Sequence, residues 1–385
     1  MTFFDQLLNR ATAGLVAVII GFSSSIALIY QVVITLGGTP DLVASWLLML
    51  GLVMGITTIG LSYYYKVPVL IAWSTTGAAL LISSAQGYHL GEAIGAFMFA
   101  ATLVFVSGVT GWFEKIMNRI PSELACAMLA GVLVNFGIDV FNFMNELPLV
   151  IGLMVLMYFL GKRFFARFAM LSVLVAGVLL AWQMGHIDTG AIHWKISEFA
   201  YIAPVFNLQA CISIGLPLYI VTMTSQNLPG IAVLKAHNYK APISATLNVT
   251  GFINILTAPF GTYSINLAAI TAAICMSDEA DKSPDKRYWA SIAAGVFYIV
   301  MALCAATLVG LVASLPQALI LALAGIALFG TIANSLQQAL SSAQYTEAAI
   351  VTFLVTASDL TMLSVGSAFW GIIAGVCTLM ITRKS

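Results

Sequence analysis

The segment 11–36 carries no Asp, Glu, Lys, Arg or His. As a helix it is long enough to cross the hydrocarbon core of a bilayer, which takes about 20 apolar residues. Similar apolar runs follow at 41–63, 68–86, 91–112, 122–140, 147–161, 166–184, 206–234, 241–258, 260–276, 286–313, 316–341, 345–358 and 362–381. With the first they make fourteen expected spans.

Composition excludes the soluble alternative. Hydrophobic residues make up 61% of the chain and charged residues 8%, against about 25% charged in a soluble domain. Surface-to-volume scaling does not let a soluble protein hide that much apolar area. In lipid the backbone must pair its own polar groups, so the expected class is an all-α membrane protein. No polar stretch is long enough for a separate soluble domain, and residues 1–385 read as a single membrane domain. The polar start, Met1 to Arg10, lacks a cleavage site, so the first span is expected to be retained.

Charge sets the expected orientation. Cytoplasmic loops collect Lys and Arg. With both termini inside, Arg10, Lys66, Lys115, Arg119, Lys162, Arg163, Arg167, Lys235, Lys240, Lys282, Lys286, Arg287, Arg383 and Lys384 all fall on the inner side. Of the 15 Lys and Arg residues only Lys195 falls outside. The expected setting is an inner membrane, with N- and C-termini cytoplasmic.

Fourteen spans divide into two sevens, and an odd repeat enters the membrane inverted. Two internal matches share a common offset. Pro68 opens PVLIAWSTTGAAL and Pro259 opens PFGTYSINLAAI; Pro121 opens PSELACAMLAGVLVNFG and Pro316 opens PQALILALAGIALFG. Inverted repeats are a mark of secondary transporters.

The third and tenth spans are unusual. Each starts with proline and a β-favouring stretch, then meets small polar residues at mid-membrane depth. These are Trp73, Ser74, Thr75, Thr76 and Gly77 in one span and Gly261, Thr262, Tyr263 and Ser264 in the other. Ser and Thr are good helix N-caps, so an extended half followed by a half-helix is expected in both. Two helix N-termini near the midplane would favour an anion or an acceptor-rich ligand, and no Lys or Arg lies nearby. Ordinary kinked spans are the plain alternative.

Other polar residues stand in the spans. Ser23, Ser24 and Ser25 lie in the first, and Thr222, Thr224, Ser225, Gln226 and Asn227 precede Pro229-Gly230 in the eighth. Hydroxyls often bond only to their own helix. Adjacent amides are harder to bury without partners. Asp139, Glu123 and Glu347 read as cap or interface charges. Five scattered cysteines form neither a disulfide framework nor a metal cluster. No nucleotide-binding loop or catalytic constellation stands out. The chain is thus expected to be neither an enzyme nor a cofactor or metal protein. A net charge of zero argues against nucleic acid as a partner.

The motifs PVLIAWSTTGAALL at 68–81, IVTMTSQNLPGIAVLKA at 220–236 and PFGTYSINLAAITAAIC at 259–275 resemble the bacterial benzoate transporter family, BenE, over the whole length. The resemblance implies proton-coupled import of a small aromatic carboxylate. Through the family's distant likeness to nucleobase:cation symporters it also implies a core of spans 1–4 and 8–11 (about 11–112 and 206–313) and a gate of spans 5–7 and 12–14 (about 122–184 and 316–381). The substrate would sit between spans 3 and 10. Trp73, Tyr263 and Tyr219 would face its ring. N–H groups at Ser74, Thr75 and Thr76 and at Ser264, Ile265 and Asn266 would hold its carboxylate, with Gln226, Asn227 and Ser24 alongside. The nucleobase relatives carry glutamates where this chain has Gln226 and Ile265, and losing both suits an anionic ligand while removing the obvious proton carrier. Expected partners are the anionic aromatic substrate, a proton as co-substrate and the lipid bilayer, with a homodimer left open. A nucleobase or inorganic-anion transporter of the same fold, or an anion channel, are the rival readings.

Overall fold

A computed structural model of the chain describes residues 3–111, 121–165, 168–187, 197–240, 242–278, 280–358, 360, 362 and 367–382. Lys115, Arg119, Arg167, Lys195, Arg383 and Lys384, all used in the orientation argument, lie outside the described residues. The elements in chain order are α1 (Phe3–Thr35), α2 (Pro40–Tyr65), β1 (Ile71–Trp73), α3 (Thr75–Ser84), α4 (Leu90–Thr110), α5 (Ser122–Asn142), α6 (Pro148–Phe164) and α7 (Ala169–Gln183). Then come α8 (208–236), α9 (Ile243–Thr257), β2 (Ile265–Leu267), α10 (Ile270–Cys275), α11 (Tyr288–Leu303), α12 (Ala305–Ala313), α13 (Gln317–Ala339), α14 (Thr346–Ala357) and α15 (Ser367–Thr382).

The helices start where the sequence supplies caps. Thr39 accepts the Leu42 N–H at 3.4 Å, with Pro40 in the first turn of α2. His89 and Glu92 form a capping box at α4. Pro121 and Pro316 stand at the N-caps of α5 and α13, where a missing N–H is harmless. Among the described residues, 7 helices are long and apolar enough to cross a membrane, and 8 if one bent pair counts as a span. α3, α7 and α15 are shorter apolar helices.

The bent pair is α11 and α12, which turn by 62° at Cys304 and were expected as one run, 286–313. The break has an identifiable cause. Ser197, from the extended segment before α8, accepts the Ala306 N–H at 2.8 Å. A side chain inserted in the hydrogen-bond ladder kinks a helix.

α8 contains two π turns, Cys211–Gly215 and Met223–Asn227, each followed directly by Leu-Pro. The Leu216 N–H reaches Cys211 O and the Leu228 N–H reaches Met223 O. Pro217 and Pro229 have no N–H to give, and their rings crowd the carbonyl four residues back. The preceding turn widens in response, as in π-bulges at functional sites.

β1 and β2 pair antiparallel, with Ile71 opposite Leu267, Ala72 opposite Asn266 and Trp73 opposite Ile265. The pairing is extended by Ser74 N–H to Ser264 O at 3.0 Å and by Ala268 N–H to Leu70 O at 2.9 Å. An open strand edge is not tolerated in lipid, and side chains close these edges. Thr58 of α2 accepts the Ile71 N–H at 3.0 Å. Asn254 of α9 accepts the Ile265 N–H at 3.2 Å and donates to Ile265 O at 3.3 Å. Asn227 of α8 accepts the Leu267 N–H at 3.1 Å.

Around the ribbon, α2 packs on α11 and α4 on α9, while α5 lies against α13 and α14. Trp46, Phe97 and Tyr263 make a buried aromatic ladder with centroids 5.9 and 6.2 Å apart. Gly261 turns the chain into β2 at φ +98°, and a Cβ there would lie 2.1 Å from the Trp46 ring. Only glycine meets both the left-handed backbone and that approach.

Candidate functional site

The ribbon delivers two chain segments to one place. After β1, Ser74 caps α3: its hydroxyl accepts the Gly77 N–H at 2.8 Å, and its own N–H is taken by Ser264 O. The first N–H groups of a helix have no partner inside it. Ser74 satisfies Gly77, which leaves the N–H groups of Thr75 and Thr76 without a partner inside the helix.

The widened turn of α8 comes against that end. The Gln226 amide donates to Thr76 Oγ1 at 3.2 Å and reaches Thr75 Oγ1 at 3.5 Å. The Ser225 and Thr76 hydroxyls lie 3.1 Å apart, and those of Ser74 and Thr76 3.3 Å apart. Thr75, Ser225 and Gln226 are half-buried, whereas Ser74 and Thr76 are buried. Accessible donors therefore stand over a fixed polar floor, next to the positive end of a ten-residue helix.

Several expected site residues are occupied with holding this arrangement. Trp73 is buried, its Nε1–H donates to Ser25 Oγ at 2.7 Å, and its ring meets Phe22 edge-on at 4.7 Å. The Tyr263 hydroxyl donates to Ser74 O at 2.9 Å. Tyr219 shares a 2.7 Å hydrogen bond with Ser107 on α4. The Ser264 and Thr222 hydroxyls are 2.9 Å apart, and Asn227, fully buried, spends its carbonyl on the Leu267 N–H. The Ser24 side chain lies outside the described residues.

The tenth span differs from expectation. Ser264, Ile265 and Asn266 do not begin a helix. Ile265 and Asn266 are strand residues, and α10 starts only at Ile270 and has 6 residues. Strand pairing takes precedence because β1 lies alongside. The Ile265 N–H is claimed by Asn254, so it is not an open anion donor. Asn266 is fully buried; its Nδ2 donates to Ser264 Oγ at 3.4 Å, while its Oδ1 has no partner among the described residues.

Sequence reading passed over Asn254, Thr58 and Phe22. A signal existed for the first: an asparagine inside the apolar run 241–258 needs a buried partner. A recess of about 430 Å³ between the α1–α2 turn and Ser197–Ala200 shares no residue with the ribbon.

Apolar helices of membrane-spanning length around a short two-stranded ribbon, with a half-buried polar floor at one helix end, define an α-helical membrane fold. The transmembrane domain of a cyanobacterial bicarbonate transporter, BicA, is similar at a TM-score of 0.63 and 15% identity, over 97% of this chain and 98% of that one. SLC26A9 is similar at 0.59 and 14% identity, over 96% of this chain and 64% of that one. The chain belongs to the BenE family, described as benzoate membrane transport protein, whose model matches residues 5–381. It is 44% identical over 370 residues to the inner membrane protein YdcO of Escherichia coli, covering 96% of this chain and 95% of that one. It is 35% identical over 380 residues to the benzoate membrane transport protein of Acinetobacter baylyi, covering 99% and 96%. The chain is thus a multi-pass membrane transport protein.

Proposed function

We propose that this protein is a secondary carrier that imports a small aromatic carboxylate of the benzoate type, together with a proton, across a bacterial inner membrane. The observation that carries the reading is the meeting of Gln226, Ser225, Thr75 and Thr76 at the N-terminus of α3. Neutral donors and a helix dipole hold a carboxylate without a fixed positive charge. Trp73, one residue before the Ser74 cap and packed on Phe22, would face the ring of such a ligand. The benzoate transport protein of Acinetobacter baylyi, alike over nearly the full length, supports the substrate class.

The topology in this reading is fourteen spans in two inverted sevens, both termini cytoplasmic. Packing supports it. Spans two and eleven (α2 on α11) have their counterpart in spans nine and four (α9 on α4), while β1 on β2 and α5 on α13 are each their own counterpart. An exchange of the halves maps each of these contacts onto a member of the set. The core (11–112 and 206–313) would rock against the gate (122–184 and 316–381), opening the α3 end to either side in turn.

The rival is a small inorganic anion on the same fold, favoured by the bicarbonate transporter among the similar structures. Calorimetry on purified protein separates the two, with benzoate, sulfate, bicarbonate and uracil as ligands. Saturable benzoate binding weakened by Gln226→Ala supports the carboxylate reading. Binding of sulfate or bicarbonate without benzoate overturns it.

A further inference from the structure

We infer that the proton accompanying the substrate is carried on the substrate's own carboxyl group, and that no side chain of the protein shuttles it. This rests on the carboxylate reading above. The four segments that build and flank the site, 11–36, 68–86, 206–234 and 260–276, contain no Asp, Glu, His, Lys or Arg.

The packed neighbours do not fill the gap. Asp41 opens α2 and Lys66 closes it; Glu92 stands in the first turn of α4, bonded to Asn207. On α5, Glu123 is in the first turn and Asp139, in the last, is exposed and bonded to Asn142. Glu347 opens α14, and Lys162 and Arg163 close α6. α7, α9, α12, α13 and α15 hold no ionisable acid or base of these kinds. Arg10 on α1 is paired with Asp281, and Arg287, just before α11, is paired with the Asp278 carboxylate and donates to the Asp281 backbone carbonyl. Lys235 closes α8 beyond the Leu-Pro-Gly break. The phenols and thiols on the four segments are Tyr30, Tyr219, Tyr263, Cys211 and Cys275, and such groups keep their protons at neutral pH.

A carboxylate at the α3 end meets partial charges only. A helix terminus offers about half a unit charge, so a whole anion stays under-compensated once the site closes and water leaves. The balanced step is R–COO⁻ plus one proton from the outer water giving R–COOH in the closing site, with the reverse on the inner side. An amide serves both forms. Gln226 Nε2 donates to the carboxylate, and Oε1 accepts from the acid hydroxyl.

The experiment uses the intact protein in liposomes, with protein-free vesicles subtracting passive flux. Benzoate is compared with benzenesulfonate, which stays ionised at any working pH, while internal pH and membrane potential are recorded. The expected result is benzoate uptake with one proton and no response to potential. Benzenesulfonate is expected to compete for binding, while its uptake driven by an inward proton gradient falls to the level of protein-free vesicles. Glu92→Gln, Glu123→Gln and Asp139→Asn should each keep the proton that moves with benzoate. Sulfonate uptake with a co-moving proton, or a carboxylate variant that moves benzoate without its proton, overturns the inference alone. Absence of benzoate binding by calorimetry removes the carboxylate reading itself, and the inference with it.

Discussion

The Trp73 indole N–H reaches from β1 to the Ser25 hydroxyl on α1 at 2.7 Å, and both residues are buried. This bond ties the ribbon to the first helix. Ser25→Ala leaves a buried donor unpaired, at a cost of about 1–3 kcal/mol. Removing both partners with Ser25→Ala plus Trp73→Phe should cost less than the sum of the single changes. Thermal unfolding of the four proteins in one detergent checks this. Additive losses would show that the bond does not couple the two elements.

Gln226 and Asn227 are neighbours with opposite fates. Gln226 is half-buried over the α3 end; Asn227 is fully buried and holds the Leu267 N–H at 3.1 Å. Gln226→Ala should leave the unfolding midpoint nearly unchanged and weaken benzoate binding by roughly tenfold to a hundredfold, as for a hydrogen bond to a charged group of about 1.5–3 kcal/mol. Asn227→Leu should lower stability by about 1–3 kcal/mol because it orphans a strand N–H. Calorimetry and thermal unfolding on both variants check the split. Equal effects on affinity would erase the distinction.

Gly261→Ala should be among the most damaging single-methyl additions. Its φ of +98° disfavours any side chain, and the new Cβ would press the Trp46 ring at 2.1 Å. The backbone strain alone is about 1–3 kcal/mol. Folded yield after size-exclusion chromatography measures the loss, and Trp46→Leu in the same chain should recover only the part caused by the clash.

The Arg10–Asp281 pair, at 2.6 Å, joins α1 to the connection after α10. Both side chains are buried, and the Ser283 N–H also donates to Asp281 at 2.7 Å. Asp281→Ala strands a buried guanidinium, and losing one member of a buried pair costs about 3–5 kcal/mol. Arg10→Met with Asp281→Leu, which removes both charges, should be milder than Asp281→Ala. Denaturation midpoints of the unaltered protein and the two variants check this order; a double variant no milder than Asp281→Ala would contradict it.

The half-helix at α3 was legible because its signals are local: a β-favouring stretch, then Ser74 and two threonines that suit an N-cap. The tenth span carried the same kind of signal and came out differently. Ser264 and Asn266 read as a helix start, but their backbone is drawn into pairing with β1, almost two hundred residues away. Local propensity cannot register a partner that distant. Thr58 and Asn254 are different: each closes a strand edge close by in sequence, at Ile71 and Ile265, but that edge exists only once β1 and β2 have paired.

The sequence by itself determined the solvent and the menu. Long uncharged runs require a bilayer, a bilayer requires backbone pairing within the chain, and the absence of acids and bases from four segments limits what can carry charge at the site. Only the tertiary structure decided which polar residues are free to meet a ligand. Trp73, Tyr219, Tyr263 and Asn227 were all candidates by type, yet each gives its polar atom to the scaffold, as Ser225 gives its hydroxyl proton to Val221 O, while Gln226 and Thr75 stay half-buried beside the open end of α3. The physical reason is that a buried donor or acceptor must be satisfied somewhere. Residue type states the need, and the packing of distant segments decides what meets it.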